Sequence, residues 1–219
     1  MVRVALVAGA TGLVGREVLA ALLADKRYSA VHSVGRRPAA VQHAKLTSHI
    51  VELRGLTTLP GVGHVDDVFI ALGTTIRAAG SQAAFRAVDF DAVVAVARAA
   101  RSLGATRLGV VSAMGADARS RVFYNRVKGE MEAALAQLGY QTLVLARPSL
   151  LDGDRRTLAQ DTRPIERWGL VVMSLLKPLI PANYRTIAAA RVADALVHAV
   201  SSAGSGVRVL SSGDMQFGH

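Results

Sequence analysis

Tyr124 and Lys128 stand four residues apart in Phe123-Tyr124-Asn125-Arg126-Val127-Lys128-Gly129-Glu130, and Ser112 ends the apolar run Leu108-Gly109-Val110-Val111 upstream of them. A helix places residues i and i+4 on one face, so the phenol and the ammonium would adjoin. A free phenol has a pKa of about 10, and a neighbouring ammonium favours the phenolate and lowers that value. Such a tyrosine can give a proton to a carbonyl oxygen or take one from an alcohol. Ser112, at the end of its strand, would hydrogen-bond the same oxygen.

Proton transfer of this kind needs a partner that moves electrons, and the first stretch of the chain can hold one. Val2-Arg3-Val4-Ala5-Leu6-Val7-Ala8 breaks into Gly9-Ala10-Thr11-Gly12-Leu13-Val14-Gly15 and continues as Arg16-Glu17-Val18-Leu19-Ala20-Ala21-Leu22-Leu23. The pattern predicts a buried strand, a tight turn and a helix. Gly9 would turn the chain out of the strand, Gly12 would admit a pyrophosphate to the backbone, and Gly15 would let the helix lie close, with its N-terminus facing the negative charge. Three glycines can also be only a turn and a packing contact, but this set lies between a strand and a helix near Val2, as the first βα turn of a dinucleotide fold should. A bound nicotinamide would then carry the hydride, with Lys128 also holding its ribose.

The next strand, Ala30 to Val34, runs into Gly35-Arg36-Arg37-Pro38. An NAD site carries an acid at this point for the ribose 2′-hydroxyl. Two arginines stand there instead, and an arginine fork suits a 2′-phosphate, which favours NADP over NAD. The bland alternative is that Arg36 and Arg37 are simply solvated.

Further strands are expected near His49 to Leu53, with Leu53 and Arg54 flanking the adenine, and at Asp67 to Leu72, ending in Gly73-Thr74-Thr75 at the ligand-facing edge. Arg107 to Ser112, Thr142 to Ala146 (closing at Arg147-Pro148) and Val207 to Leu210 complete the set. Helices are expected over Ser81 to Leu103, packing through Ala84, Val88, Val94, Ala95 and Ala99; over Ser120 to Leu138, packing through Val127, Met131, Leu135 and Leu138; and over Thr186 to Ser201. Asp89 is a polar exception, read as structural, either capping or hydrogen-bonding a neighbouring loop. Regular alternation of strand and helix predicts an α/β fold, a doubly wound parallel sheet of the Rossmann type.

At 219 residues the chain suits one domain, 1–219, with a small lobe added. The pattern degrades over 149–185, the natural place for a substrate-covering lobe. Its apolar stretch Gly169 to Ile180 is too short to span a bilayer and suits a pocket wall, a subunit interface or a surface anchor. With no cysteine, disulfides, thiolate catalysis and thiolate metal sites are excluded, and a reducing, cytoplasmic setting is expected. The six histidines show no metal-ligand spacing, so no metal is expected. The net charge of +10 comes mostly from scattered arginines without interleaved aromatics, which argues against nucleic acid.

These motifs together resemble the short-chain dehydrogenase/reductase family, and within it the small atypical branch of Tat-interacting-protein-like oxidoreductases. The likeness is carried by Gly9 to Gly15, Gly35-Arg36-Arg37, Leu72-Gly73-Thr74-Thr75, Val111-Ser112, Gly115-Ala116-Asp117, Tyr124-x-x-x-Lys128-Gly129-Glu130 and Arg147-Pro148, and it covers Val2 to about Leu151. The resemblance implies a catalytic triad of Ser112, Tyr124 and Lys128. It implies NADP contacts at Gly9, Thr11, Gly12, Leu13, Val14, Gly15, Arg36, Arg37, Leu53, Leu72, Gly73, Thr74, Tyr124, Lys128 and Pro148. Two departures stand out: Ala113 replaces a second serine, and no asparagine fills the fourth catalytic position of the larger enzymes. The leading expectation is an NADP-dependent oxidoreductase acting on a small carbonyl or alcohol. An NADPH sensor that binds a protein partner or a second copy without turnover is the alternative. An epimerase-like enzyme comes third, because the lobe is brief for a sugar nucleotide.

Overall fold

The computed structural model describes residues 2–151, 186–202 and 204–216. Seven strands, β1 (Arg3–Ala8), β2 (Tyr28–Gly35), β3 (Leu46–Ile50), β4 (Asp67–Ile70), β5 (Arg107–Val111), β6 (Thr142–Arg147) and β7 (Gly206–Ser211), form one sheet in the order β3-β2-β1-β4-β5-β6-β7. Every pairing is parallel. A parallel sheet is covered on both faces, so its central strands read as unbroken apolar runs. All four residues of β4 are buried, whereas the edge strands β3 and β7 are largely exposed.

Seven helices are described: α1 (Leu13–Ala24), α2 (Ile76–Ala79), α3 (Gln82–Arg86), α4 (Val93–Ser102), α5 (Phe123–Ala136), α6 (Ala189–Ser202) and α7 (Ser212–Gln216). Helices α1 and α6 cover one face of the sheet with Val18, Leu19, Leu22, Val192, Leu196 and Val200. Helices α4 and α5 cover the other with Val93, Val96, Ala97, Ala100, Met131 and Leu135. Each leucine or valine so buried contributes about 1.5–3 kcal/mol. None of the helices among the described residues is long and apolar enough to cross a membrane.

Two sequence expectations need correction. The third strand lies earlier than expected, at Leu46–Ile50, because it is set by pairing with Val31 to Gly35 and not by the later apolar residues; Leu53 instead folds back into the core. The helix expected over Ser81 to Leu103 is interrupted: α3 passes into a π-helical turn, Ala87–Ala92, before α4. The wider turn shifts the buried stripe, so Phe85, Ala92, Val93, Val96 and Ala97 pack inward while Ala84, Val88 and Ala95 are only half-buried. Of the expected lobe, everything beyond Leu151 lies outside the described residues, including Gly169 to Ile180.

Strand order reverses between β1 and β4, which is where such a sheet opens a crevice beyond its carboxyl ends. Gly9 follows β1, Gly35 ends β2 and Ser112 follows β5 at those carboxyl ends.

Candidate cofactor and active site

Gly9 leaves β1 at a φ of +91°, a conformation that glycine adopts without strain. A Cβ at Gly15 would sit 2.0 Å from the Gly9 carbonyl oxygen, so the helix can approach the turn this closely only with glycine there. Gly12 N–H donates to Gly9 O at 2.9 Å and tightens the loop. Gly12 is also the N-cap of α1 and brings no side chain to bond the first-turn amides. Those amides carry no intrahelical partner, and a capping serine or aspartate would have consumed some of them. Such amides at a helix N-terminus suit an anion.

Beside this turn lies a cavity of about 90 Å³, with Gly9, Thr11, Arg36, Arg37, Leu53 and Leu72 among its lining residues. Arg36 and Arg37 are exposed, and among the described residues neither forms an ion pair. A second cavity of about 290 Å³ shares Arg36, Leu53 and Leu72 and adds Glu52, Arg54, Val88 and Ala92. The residues expected around the adenosine end therefore do converge. The fit to a dinucleotide is a matter of donors: bare helix amides suit a diphosphate, and among the described residues the guanidinium groups beside them are not committed to an ion pair. The Val14 side chain points elsewhere, into the core beneath α1, and Pro148 is buried, with its carbonyl accepting from Met114 N–H.

The other half of the site is organised by Asp89. It is 1% exposed, and its Oδ2 accepts from Thr74 N–H at 2.9 Å, bonding the neighbouring loop as expected. Lys128 Nζ lies 2.7 Å from Oδ1, with both side chains buried. The two charges attract, but Oδ1 has no aligned hydrogen-bond donor. Burial pushes the Asp89 carboxyl above the ordinary carboxylate range, with Lys128 and the Thr74 N–H pulling it back. Gly73 closes over the pair, since a Cβ there would lie 3.5 Å from Asp89 Oδ1 and 3.9 Å from Lys128 Nζ.

Tyr124 is half-buried one turn before Lys128, with its ring 5.3 Å from that of the fully buried Phe85 on α3. Gly129 positions this helix. A Cβ there would lie 2.1 Å from Ala118 N, so the loop Gly115-Ala116-Asp117 rests directly on the α5 backbone. Ser112, buried just past β5, donates from Oγ to Glu132 Oε1 at 2.5 Å. Glu132 is held in turn by Arg147.

Sequence reasoning did not find Glu132 or the role of Arg147. One signal was available: Glu132 follows Lys128 by a helical turn, on a stripe otherwise made of Val127, Met131 and Leu135, where an acid must have a partner. The Asp89–Lys128 pair was hidden by the π turn, which no apolar periodicity announces.

Three comparisons bear on this geometry. The model of the NAD dependent epimerase/dehydratase family matches residues 5–121. The mitochondrial protein fmp52 of Emericella nidulans is 35% identical over 179 residues, covering 76% of this chain and 72% of that one. Among solved structures, a short chain dehydrogenase family protein from Francisella tularensis superposes with a TM-score of 0.69 at 14% identity, covering 99% of this chain and 100% of that one. MoeE5, solved with UDP-glucose and NAD, gives 0.67 at 16% identity over 94% and 75%. At such identities these two speak for the fold alone. The cytoplasmic expectation is overturned by the mitochondrial designation that the fungal relatives carry. It leaned on the lack of cysteine, and a chain without thiols carries no mark of the redox state of its compartment. The glycine turn, the parallel sheet and the match across its first five strands agree: this chain belongs to the NAD dependent epimerase/dehydratase family, within the short-chain dehydrogenase/reductase type of Rossmann fold, and is related to the fmp52 proteins.

Proposed function

We propose that the protein is an NADP-dependent oxidoreductase that interconverts a small carbonyl compound and its alcohol. The reading is supported by the bare amides of α1 beside the cavity that Arg36 and Arg37 line and, on α5, by Tyr124 one turn before Lys128. Bound there, NADPH would supply a hydride to a carbonyl carbon. The amides at Leu13 to Gly15 would hold the diphosphate, Arg36 and Arg37 would hold the 2′-phosphate, and Leu53 and Leu72 would wall the adenosine. Tyr124 gives its phenolic proton to the carbonyl oxygen as the alcohol forms, and Lys128 stabilises the phenolate until solvent returns the proton.

Two variants test this. Tyr124→Phe keeps the ring on Phe85 but removes the proton, so kcat should fall by roughly 10²–10⁴ with NADPH affinity unchanged. Unchanged turnover would place the acid elsewhere. Arg36→Ala with Arg37→Ala should weaken NADPH binding by at least about 100-fold, because charge-assisted bonds to a phosphate contribute about 1.5–3 kcal/mol each, and should leave NADH binding within a few-fold. Equal losses for the two nucleotides, measured by calorimetry, would remove the case for NADP.

A second reading is supported by one specific observation. Lys128 is committed to Asp89 and the Ser112 proton to Glu132, so two of the three expected catalytic groups already have partners within the chain. A protein that binds NADPH as a signal for a partner, without turnover, is consistent with that. Single-turnover oxidation of bound NADPH by any carbonyl compound would dismiss it.

A further inference from the structure

His32 on β2 and His49 on β3 face each other, Nδ1 of the first 2.9 Å from Nε2 of the second, with ring centroids 5.1 Å apart. Both are half-buried, and the chain beyond β3 returns over His49 at Gly61, where a Cβ would lie 3.5 Å from the ring. Two ring nitrogens bond only when one carries a hydrogen and the other a lone pair, so the bonded pair holds at most one positive charge. A second proton would leave two donors, and two like charges, pointing at each other.

The pair fastens the least secured strand of the sheet. β3 is an edge strand, largely exposed and paired with β2 alone. Besides the ladder, two side-chain bonds hold it, one on each face: Ser33 Oγ to Ser48 Oγ at 2.9 Å, and His32 to His49. Where the ladder ends, Val51 N–H donates to Gly35 O at 3.0 Å. From that point Arg36 and Arg37 run along one cavity, while Glu52, Leu53 and Arg54 wall the larger one that Arg36 shares. The registers place Leu6 of β1 and Thr47 of β3 opposite His32, both uncharged. In the following loop Glu52 accepts from Arg54 N–H, and His64 pairs with Asp66. Burial, and then the charge of His49, hold His32 below the ordinary histidine value, and no other charged group among the described residues acts on it. Between the lowered value and the ordinary one the unfolded chain binds a proton that the folded chain has released, so acid favours opening.

We propose that the His32–His49 bond is an acid-sensitive latch: a second proton breaks it, frees the β3 edge and displaces the wall made by Glu52, Leu53 and Arg54, so that nucleotide leaves as pH falls. The loss of nucleotide rests on the cofactor reading of the two cavities, whereas the opening of β3 stands without it. Histidine is the side chain that ordinarily titrates in this range.

Amide hydrogen exchange, corrected for its intrinsic pH dependence, tests the latch on the protein without nucleotide. From about pH 7.5 to about pH 5.5, protection over Leu46–Ile50 should fall at least about ten-fold relative to that of β4. In His49→Gln, and separately in His32→Gln, the amide can still give or accept a bond but takes no proton, and the fall should shrink to less than about two-fold. Unchanged protection in the wild type overturns the latch, and so does an equal fall in both variants. Calorimetry with NAD avoids the 2′-phosphate, a group whose own titration lies near pH 6. Its affinity should drop about ten-fold over the same interval in the wild type and stay level in His49→Gln. If β3 opens while NAD affinity holds, the coupling to the site is overturned. Absence of NAD and NADP binding at either pH would count against the cofactor reading, while exchange still decides the latch.

Discussion

Two buried aspartates mark the two ends of the sheet, and they are treated in opposite ways. At the amino end Asp67, fully buried, accepts from Tyr28 Oη at 2.7 Å, Arg107 Nε at 2.5 Å and Arg3 Nη1 at 3.5 Å, tying the starts of four strands to one carboxylate. At the carboxyl end Asp89 accepts one backbone N–H, pairs with Lys128 and keeps an oxygen without an aligned donor. The tyrosines follow the same division. Burial, and then the charge of Asp67, push the Tyr28 phenol well above its ordinary value, so it remains a donor, whereas Tyr124 is half-buried one helical turn from a lysine. Polar groups at one end satisfy one another. At the other end they leave Arg36, Arg37 and the α1 amides for something from outside.

Removing each carboxylate should separate the two roles. Asp67→Ala strands three donors. Breaking a buried pair costs about 3–5 kcal/mol, and because Arg3 and Arg107 are about a quarter exposed and can rehydrate, the lower figure applies. Melting should drop by about 6–12 °C with NADPH affinity unchanged. A loss of affinity without a loss of stability would reverse the assignment. Replacing the other pair as a unit, Asp89→Leu with Lys128→Met, should leave stability within about 1 kcal/mol, since a buried ion pair gains little over apolar side chains of similar size. Turnover should vanish in that variant. If its melting temperature falls as far as that of Asp67→Ala, the two ends do not differ in kind.

How much of this was legible in the sequence follows the same division. The glycine turn was readable because its residue types are dictated locally: Gly9 by a positive φ, Gly15 by contact with a carbonyl six residues back. The parallel sheet was readable because central strands must be apolar throughout. The place of Arg36 and Arg37 beside that turn was readable because they directly follow the strand next to it. Glu132 and Asp67 were not, nor was the pairing of Asp89 with Lys128, since a buried carboxylate owes its place to donors distant in the chain, such as Arg107 for Asp67 and Arg147 for Glu132. The strand β3 was misplaced for a related reason: Leu53 is apolar for the core and not for the ladder.

The smallest expected effect is also the cleanest separation of the two ends, because it depends on sign. Asp66, next to Asp67, is desolvated by partial burial, but the Val4 N–H and His64 outweigh this and hold its carboxyl below the ordinary value. Its contribution to stability is therefore present above the ordinary carboxylate range and is lost as pH falls through the lowered value. Asp89 is raised by burial, so in the window above the ordinary value the folded chain binds a proton that the unfolded chain has released. Its contribution is complete at low pH and declines as pH rises through that window. Unfolding free energies measured by urea titration from pH 3 to pH 8 should show that Asp66→Asn removes a rising component from the wild-type profile and Asp89→Asn removes a falling one. Two rising components would mean that Asp89 is as well satisfied in the fold as the carboxylates at the opposite edge, and that the charge pair at the cofactor end belongs to the scaffold.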